Sequence, residues 1–522
     1  MFKFSKKPIC LFLIFIMIFL VSSCKKEVTK IPVADGEKPL YGQNINLFSY
    51  YPDTLNPFLT EIRENYDIMS LVYEPLFAVR ERGEEEPCLA SAYKFENGGL
   101  TVRVMLKDNV KFHSGAVFGA DDVIFTLKYI AEYAPNFLYI FDNIKGYSKD
   151  GNDVVFNLKS LQFNFVSCLD FPIISKSTDI KSFNENAHYQ PNGCGAFEFD
   201  ANAFKQKEMR LVKNAEYYNP DFPYADSITV KLLKNSPVAV SAFNGNEVSA
   251  ITSDEFVWGD VSFTNDFTVS EYGGDWFYFL AFNYENALLC DVNVRRMMLS
   301  MIDRDDMVQK VFQTHAYATN SILNPMYNYG MVYTDEFDLD NTAGYAKDAG
   351  LTDKDKNGIY EKTVDDEVFS LSFSVLADAD DDKIMKIADI LAQSAKKAKI
   401  SLNIKRLSNE DYQTAFTEKD YDILLTKEKI RCCDNLASKL DFNGKYEVPY
   451  EIYTELANIL NGADTENANE KMREFNNLYI SLAPCIALCY DSYATLCHGS
   501  VKNFTVWRNS RYRGILQSFI KY

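Results

Sequence analysis

Apolar residues occupy every second position between Val368 and Leu376, recur at helical spacing from Ile384 to Ala398, and alternate again from Ile400 to Ile404. A period of two is typical of a half-buried strand, and a period near 3.6 of a helix with one buried face. The pattern therefore predicts a strand, a helix and a second strand. A crossover of this length joins parallel strands, which indicates an α/β layer in the C-terminal half.

Similar patterns occur through the rest of the chain. Asp121 and Asp122, whose charges favour a helix N-terminus, precede one predicted helix, and a second runs from Val292 to Ile302. Sheets and helices are thus mixed along the whole sequence. Further strands are predicted at Asp153–Leu158, Glu208–Val212, Ser227–Leu233 and within Ala483–Leu496.

The most apolar segment lies near the start. Lys3, Lys6 and Lys7 precede an uninterrupted apolar run from Ile9 to Val21 that ends in small polar residues. This order is typical of a secretory signal peptide. The run is shorter than the about 20 residues that a membrane-spanning helix needs, and it has no counterpart downstream. We therefore expect residues 1–23 to export the chain and then to be removed.

The residues around the expected cleavage site, Val21-Ser22-Ser23-Cys24, resemble the bacterial lipobox. The resemblance implies that Cys24 receives a lipid, with palmitate as an acyl chain, and anchors the protein to the outer face of a bacterial membrane. The polar residues 24–40 would then be a flexible tether. An ordinary secretory signal followed by a chance cysteine is the alternative.

Composition limits the possible partners and chemistry. The net charge is −19, and the loss of residues 1–23 would remove three lysines and no acid, so we expect no nucleic-acid binding. Of the 11 cysteines, those after Cys24 are irregularly spaced, and we interpret most of them as small buried residues.

Three local patterns could suggest a metal site or an enzyme. Cys485, Cys489, Cys497 and His498 could bind a metal, but alternation in this segment favours a core strand. The loop 353–358 imitates the start of a calcium loop but lacks its final acid, because Val364 stands there. The four histidines, at 113, 188, 315 and 498, have no partner at a catalytic spacing. We expect no enzymatic activity, no cofactor and no metal site.

Short motifs follow one another along the chain at Asp53–Pro57 (DTLNP), Tyr73–Leu76, Pro87–Ala90, Leu106–Gly115 with Gly119–Val123, Asn192–Phe197, Lys213–Tyr218, Asp291–Arg296 with Ile302–Arg304, and Ala349–Gly350 with Asp353–Gly358. Their order resembles the family 5 solute-binding proteins of bacterial ABC importers, which include oligopeptide-, dipeptide- and nickel-binding proteins. The resemblance extends from about residue 45 to the C-terminus.

The resemblance implies a two-lobed periplasmic-binding-protein fold (Venus flytrap, type II) of class α/β, with an extra domain inserted in the first lobe. Ligand would be enclosed between the lobes. The expected boundaries are 41–65 plus 188–272 plus 486–522 for lobe I, 66–187 for the inserted domain and 273–485 for lobe II.

Six residues are candidates for ligand contact. Trp276 and Tyr278 share one face of a predicted strand where the family passes between lobes, and Asn283 follows them. The opening loop continues through Glu61 and Arg63, a part that in the family lies along an extended ligand.

The sixth candidate is Arg431. In the oligopeptide binders a Gly-Trp segment ends in an acid that pairs with the peptide's α-ammonium group. Here, counted without a gap from Tyr421, Arg431 takes that place, and a shift of three residues would instead supply Asp434. If Arg63 and Arg431 face the cleft, they favour a carboxylate or another anionic group. A misaligned surface loop is the alternative.

The expected function is therefore capture of a peptide or peptide-like ligand by a monomeric, lipid-anchored, extracytoplasmic protein. It would deliver this ligand to an ABC permease with its ATPase subunits. One alternative is a nickel-chelate binder. Another is a sensor or scaffold lipoprotein that keeps the fold but has a degenerate cleft.

Overall fold

The computed structural model describes residues 38–186, 189–200, 207–253, 266–327, 329, 337–364, 366–442 and 444–521. The chain divides into Met1–Pro39 and a compact unit, Leu40–Tyr522, which contains the sheets and cores described below. No helix in the described ranges is both long and apolar enough to cross a membrane.

Among the described residues, three sheets of four or more strands organise the compact unit. A four-stranded sheet has the order β1-β10-β9-β8, another has the order β4-β5-β7-β6, and the largest has the order β11-β19-β12-β18-β16-β17 with β13 paired to β19. The strands are β1 (Asn44–Tyr50), β2 (Phe77–Val79), β3 (Glu85–Pro87), β4 (Ala90–Glu96), β5 (Thr101–Leu106), β6 (Ile144–Asp150), β7 (Asp153–Leu158), β8 (Phe197–Phe199), β9 (Glu208–Lys213), β10 (Ser227–Leu233), β11 (Ala250–Ser253), β12 (Phe267–Phe282), β13 (Ala316–Ala318), β14 (Glu361–Val364), β15 (Glu367–Ser370), β16 (Ser372–Asp378), β17 (Ser401–Leu407), β18 (Ile423–Lys429), β19 (Ile486–His498), β20 (Val501–Lys502) and β21 (Phe519–Ile520).

Helices cover and connect these sheets. They are α1 (Arg63–Met69), α2 (Ala120–Tyr133), α3 (Ile180–Glu185), α4 (Ser236–Asn244), α5 (Ala287–Cys290), α6 (Val292–Ser300), α7 (Arg304–Phe312), α8 (Leu339–Asp348), α9 (Asp382–Lys397), α10 (Asn409–Thr417), α11 (Leu436–Lys439), α12 (Tyr450–Asn461) and α13 (Ala468–Leu482), with 3₁₀ helices at Asn97–Gly99, Pro135–Phe141, Phe165–Leu169 and Arg513–Gln517.

The predicted strand–helix–strand unit is confirmed. β16 and β17 pair in parallel across α9, and Asp381 begins the helix by accepting hydrogen bonds from the N–H groups of Lys383 and Ile384. One boundary is corrected. The alternating run 368–376 forms two strands, because β15 belongs to an exposed hairpin with β14 and the buried strand β16 begins only at Ser372.

β12 separates two apolar cores. Phe277 and Phe279 point into the first core, which also contains residues of the two four-stranded sheets. Tyr278 and Leu280 point into the second core, beneath α6, α7 and α9. From Phe277 to Phe282 the strand is therefore buried on both faces. β19 lies beside it, and the buried Cys489 and Cys497 are part of that strand, as the alternation predicts.

Two glycines of the 192–197 motif allow close backbone contact. A Cβ added at Gly193 would lie 2.0 Å from the carbonyl oxygen of Val72, and one at Gly195 would lie 2.4 Å from that of Leu71. The N–H of Gly195 donates to the Val72 carbonyl (2.8 Å). A side chain at either position would force these segments apart, so the motif is structural.

Three arginines near the C-terminus join distant parts of the first core. Arg511 is fully buried, and its Nε donates to Oδ2 of the equally buried Asp67 in α1 (2.6 Å). Arg513 donates from Nη1 to Glu74 Oε2 (2.8 Å), which belongs to the 73–76 motif. Arg508 pairs with Asp275 in β12. We call Arg508, Arg511 and Arg513 the arginine segment.

We expect Asp67→Ala to reduce the free energy of unfolding by about 3–5 kcal/mol, because the change removes the nearest carboxylate of the buried Arg511 guanidinium and leaves, among the described residues, only Glu64 Oε1, at 3.5 Å, as its counter-charge. Urea unfolding of the chain from residue 25 onward measures the effect. Asp142→Ala, which removes an exposed acid, is the control and should change stability by no more than about 0.5 kcal/mol. Equal stability of the two variants would show that the Asp67–Arg511 pair is not needed for the fold.

Candidate functional site

A cavity of about 640 Å³ lies where the opening loop, the large sheet and the C-terminal segment meet. This volume is within the range of about 300–1,000 Å³ that is usual for small-molecule sites. The lining residues come from 57–66, 135–139, Asp170, Tyr272 and Asp275 of β12, Lys429 at the end of β18, Arg431 just beyond it, Tyr493 of β19, and 508–509.

The opening loop forms one wall, and its DTLNP motif shapes it. Asp53 accepts hydrogen bonds from the Thr60 hydroxyl (2.6 Å) and from the backbone N–H of Glu61 (2.8 Å). These bonds fix the loop just before α1. Glu61 and Arg63, two of the candidates for ligand contact, both line the cavity, and Arg63 Nη2 also donates to the carbonyl of Arg508 (3.1 Å).

Arg431 lies on another wall, just beyond β18. Its guanidinium stacks over the Tyr139 ring, 4.2 Å from the centroid, and its backbone N–H donates to Asp434 Oδ2 (2.9 Å). About 28% of the side chain is exposed, so the guanidinium is accessible from the cavity that it lines. Stacking fixes its orientation without using all of its donors.

The loop that carries Arg431 is bound by side chains of the 162–168 segment. Asn164 Nδ2 donates to the carbonyl of Cys432 (2.6 Å), and Gln162 Nε2 donates to that of Cys433 (2.6 Å). These donors satisfy loop carbonyls that are buried away from water. Hydrogen bonds from residues about 270 positions earlier in the chain therefore hold the loop that carries Arg431 in place.

Arg508 and Asp275 form the charged base of the cavity. Arg508 Nη1 donates to the carbonyl of Gly273 (2.8 Å), Nη2 pairs with Asp275, and the guanidinium covers the Tyr327 ring at 4.6 Å. The Arg508 side chain is almost fully buried, so most of its charge is satisfied within the protein.

Other lining residues were missed from sequence, including Lys429, Asp170, Asp275 and Arg508. Burial raises the pKa of Asp170 to about 6. Lys429 ends β18, with its ammonium 4.9 Å from the centroid of the Trp276 ring. No motif marks these residues, and only the fold brings them together.

Three of the six predicted ligand-contact residues do not line this cavity. Tyr278 is 1% exposed and packs against Phe312 in the second core. Trp276 lies on the same face of β12 as Tyr278, as predicted, and both rings contact Lys427. Asn283 donates from Nδ2 to the carbonyl of Tyr421 (3.0 Å) and stabilises the turn after β12. A strand buried on both faces explains why aromatic spacing alone did not identify a cleft wall.

The alternative acid, Asp434, is also absent from the cavity lining. It is 4% exposed, accepts from the Arg431 N–H and lies 3.4 Å from Lys439 Nζ. Cys24 and His188 lie outside the described residues. Within the described ranges, no group of three or more His, Cys, Asp or Glu side chains is placed to hold a metal ion.

Comparisons with known proteins agree with this architecture. The oligopeptide-binding protein AppA of Bacillus subtilis is 26% identical over 350 residues, which are 62% of each chain. The glutathione-binding protein GsiB of Escherichia coli K12 is 27% identical over 184 residues, which span 34% of this chain and 35% of GsiB.

Solved structures share the fold over nearly the whole chain. AppA in complex with a nonapeptide superimposes with a TM-score of 0.60 at 20% identity, covering 93% of this chain and all of AppA. NikA from Brucella suis in complex with Fe(III)-EDTA gives 0.69 at 17% identity, covering 91% of this chain and all of NikA. They support the predicted α/β, type II periplasmic-binding-protein fold with an inserted domain in the first lobe.

The model for the middle region of the bacterial extracellular solute-binding proteins, family 5, matches residues 84–428, which confirms the resemblance. The chain belongs to the family 5 extracellular solute-binding proteins of bacteria.

Proposed function

We propose that this protein captures a peptide or peptide-like ligand outside the cytoplasm and delivers it to an ABC transporter permease. The observation that carries the proposal is the cavity of about 640 Å³, which is lined by aromatic rings and by charges of both signs. Such a lining suits a small zwitterion with variable side chains, since rings give broad contact and charges fix orientation.

Arg431 and the neighbouring Lys429 would bind the ligand's carboxylate. A guanidinium can donate two parallel hydrogen bonds to a carboxylate, and the stacking on Tyr139 holds its plane in place. Arg63, on the opening loop, is a further cation of the lining. Tyr66, Phe137 and other rings would contact the side chains without selecting one sequence.

The relatives favour a peptide. The name of AppA describes an oligopeptide-binding protein, and its solved structure holds a nonapeptide. GsiB is named for binding glutathione, itself a small peptide with free carboxylates.

An anionic metal chelate is the second candidate, because NikA was solved with Fe(III)-EDTA and the cations lining this cavity suit such a ligand. The described lining residues include neither His nor Cys, so the chelator rather than the protein would supply the metal's ligands.

The lobe boundaries given above belong to this proposal. The sheet β4-β5-β7-β6 falls entirely within the proposed inserted domain, 66–187, and β16, β17 and β18 fall within lobe II, 273–485. Closure of the lobes around ligand would present a surface to the permease, whose ATPase subunits drive import. The protein would act as a monomer tethered through Cys24. A sensor or scaffold would keep this fold without releasing ligand to a permease.

Native mass spectrometry of the chain from residue 25 onward tests the proposal. We expect a co-purified or added mixture of peptides of three to five residues to bind with one peptide per chain. If an added Fe(III)-EDTA complex binds and peptides do not, the result would favour the hypothesis of a metal-chelate ligand. Absence of binding by both would favour a scaffold.

We expect Arg431→Ala to weaken binding of peptides with a free C-terminal carboxylate by about ten- to a hundredfold, the equivalent of about 1.5–3 kcal/mol for a charged hydrogen bond. Calorimetric titration with a peptide and its C-terminal amide measures the effect. The amide should bind the wild type and the variant equally.

Arg406→Ala is the matched control for this experiment. Arg406 pairs with Asp389 on the surface, and 47% of its side chain is exposed. This variant should keep wild-type affinity for both peptides. If Arg431→Ala also keeps it, Arg431 does not bind the carboxylate.

The lipid anchor is tested by labelling cells with radioactive palmitate. We expect the wild-type chain to take up label and to sediment with membranes, and Cys24→Ala to lose both properties because the acceptor thiol is gone. Cys10→Ala, within the expected signal peptide, should behave as wild type. Label retained by Cys24→Ala would place the lipid on another residue.

A further inference from the structure

Asp170 is a buried acid in the wall of the cavity. It directly follows the 3₁₀ helix Phe165–Leu169, is 4% exposed, and lines the cavity with Arg63, Tyr66 and Asn509. A carboxylate is seldom buried this deeply without a paired cation. Among the described residues, no Lys or Arg side chain lies within ion-pair distance of it.

The protein satisfies only one side of this carboxylate. The backbone N–H of Val79 (3.0 Å) and the Asn509 Nδ2 (3.2 Å) both donate to Oδ2. Within the described part of the chain, Oδ1 receives no hydrogen bond. An ionised carboxylate can accept about four, so Asp170 keeps unused acceptor capacity at the cavity.

We propose that Asp170 binds the positively charged α-ammonium group of the ligand, while Arg431 and Lys429 hold its carboxylate. This assignment rests on the proposed peptide-binding function and adds the residue that selects for a free N-terminus. A charged group brought to Oδ1 would satisfy the open side of the carboxylate and compensate its buried charge.

The other acids of the lining are less suited to this role. Asp275 already pairs with Arg508, and Glu61 is largely exposed to water. An exposed ion pair contributes little, whereas a buried acid without a partner gains most from a cation. Among these three acids of the lining, Asp170 is therefore the one at which binding of a ligand's ammonium group is favoured most.

Protonation of Asp170 supports the assignment. Desolvation raises the pKa of Asp170 to about 6, opposed by hydrogen bonds from Val79 and Asn509 and by the more distant charges of Arg513 and Arg63. Of the other ionisable groups near it, burial raises the pKa of Tyr66 and of Cys88, so both stay neutral, and the arginines stay charged. Of these groups, Asp170 is thus the one that changes charge between pH 5 and 7.5.

The sign of the pH dependence follows from this. Ammonium binding lowers the pKa of Asp170 and releases its proton, so affinity rises as the pH rises through 6. With a pKa of about 6, the ionised fraction increases about tenfold from pH 5 to 7.5. Affinity for a peptide with a free N-terminus should increase by a similar factor, and the affinity of an N-acetylated peptide should not.

The test uses peptides of three to five residues with uncharged side chains, in free and N-acetylated form, titrated by native mass spectrometry into the wild type, Asp170→Asn and Asp142→Asn. We expect acetylation to weaken binding to the wild type at least tenfold. Asp170→Asn should bind both forms with the weaker affinity. Asp142→Asn, which removes an exposed acid outside the cavity lining, should match the wild type.

The outcomes separate this inference from the proposed function. If the wild type binds free and acetylated peptides equally, or if Asp170→Asn keeps the full preference for free peptides, peptide binding stands and the role of Asp170 is overturned. If the wild type binds neither form, the peptide function and the role of Asp170 both fall.

A fold control accompanies the titration. The amide oxygen of Asp170→Asn still accepts from the Val79 N–H, and the variant buries no charge, so its Tm at pH 7.5 should equal or exceed that of the wild type. The advantage should shrink toward pH 4, because the wild-type carboxyl is then protonated and neutral. Lost binding together with an undiminished Tm supports a direct ligand contact, whereas lost binding with a lowered Tm would make Asp170 structural.

Discussion

The pairing of the arginine segment with three distant acids is the interaction on which the rest of the structure depends. Asp67 and Glu74 lie in the first core, and Asp275 lies in the central strand β12. Two buried charges attract strongly only when their geometry and remaining hydrogen bonds are satisfied, and the loss of one partner leaves the other uncompensated. These pairs hold the C-terminal segment against α1, the 73–76 motif and β12.

The same segment also shapes the cavity. The arginine at 508 uses its side chain to compensate Asp275 and its carbonyl to accept from Arg63, so one residue sets both the base and one wall of the cavity. The contacts of Arg508 that close the first core therefore also shape the cavity. Its cations, on Arg63 and around Arg431, and its buried acid, Asp170, come from elements far apart in sequence.

Much of the fold could be predicted because its elements follow local periodicity. α9 and its flanking parallel strands show clear alternation and amphipathic spacing, and ordered motifs indicated the family. The site was harder to predict. The motif order made Glu61, Arg63 and Arg431 candidates, and all three line the cavity, whereas Asp170 and Arg508, which also line it, carry no local signal. Tyr278 was misplaced because a strand buried on both faces resembles a cleft wall in sequence.

The arginine segment also limits the order in which the chain can fold. Arg511 meets Asp67 across 444 residues, and Arg513 meets Glu74 across 439. Until those arginines leave the ribosome, these two buried pairs cannot form, and contacts of such high sequence separation form slowly. The first core is therefore closed by these pairs only after almost the whole chain has been made.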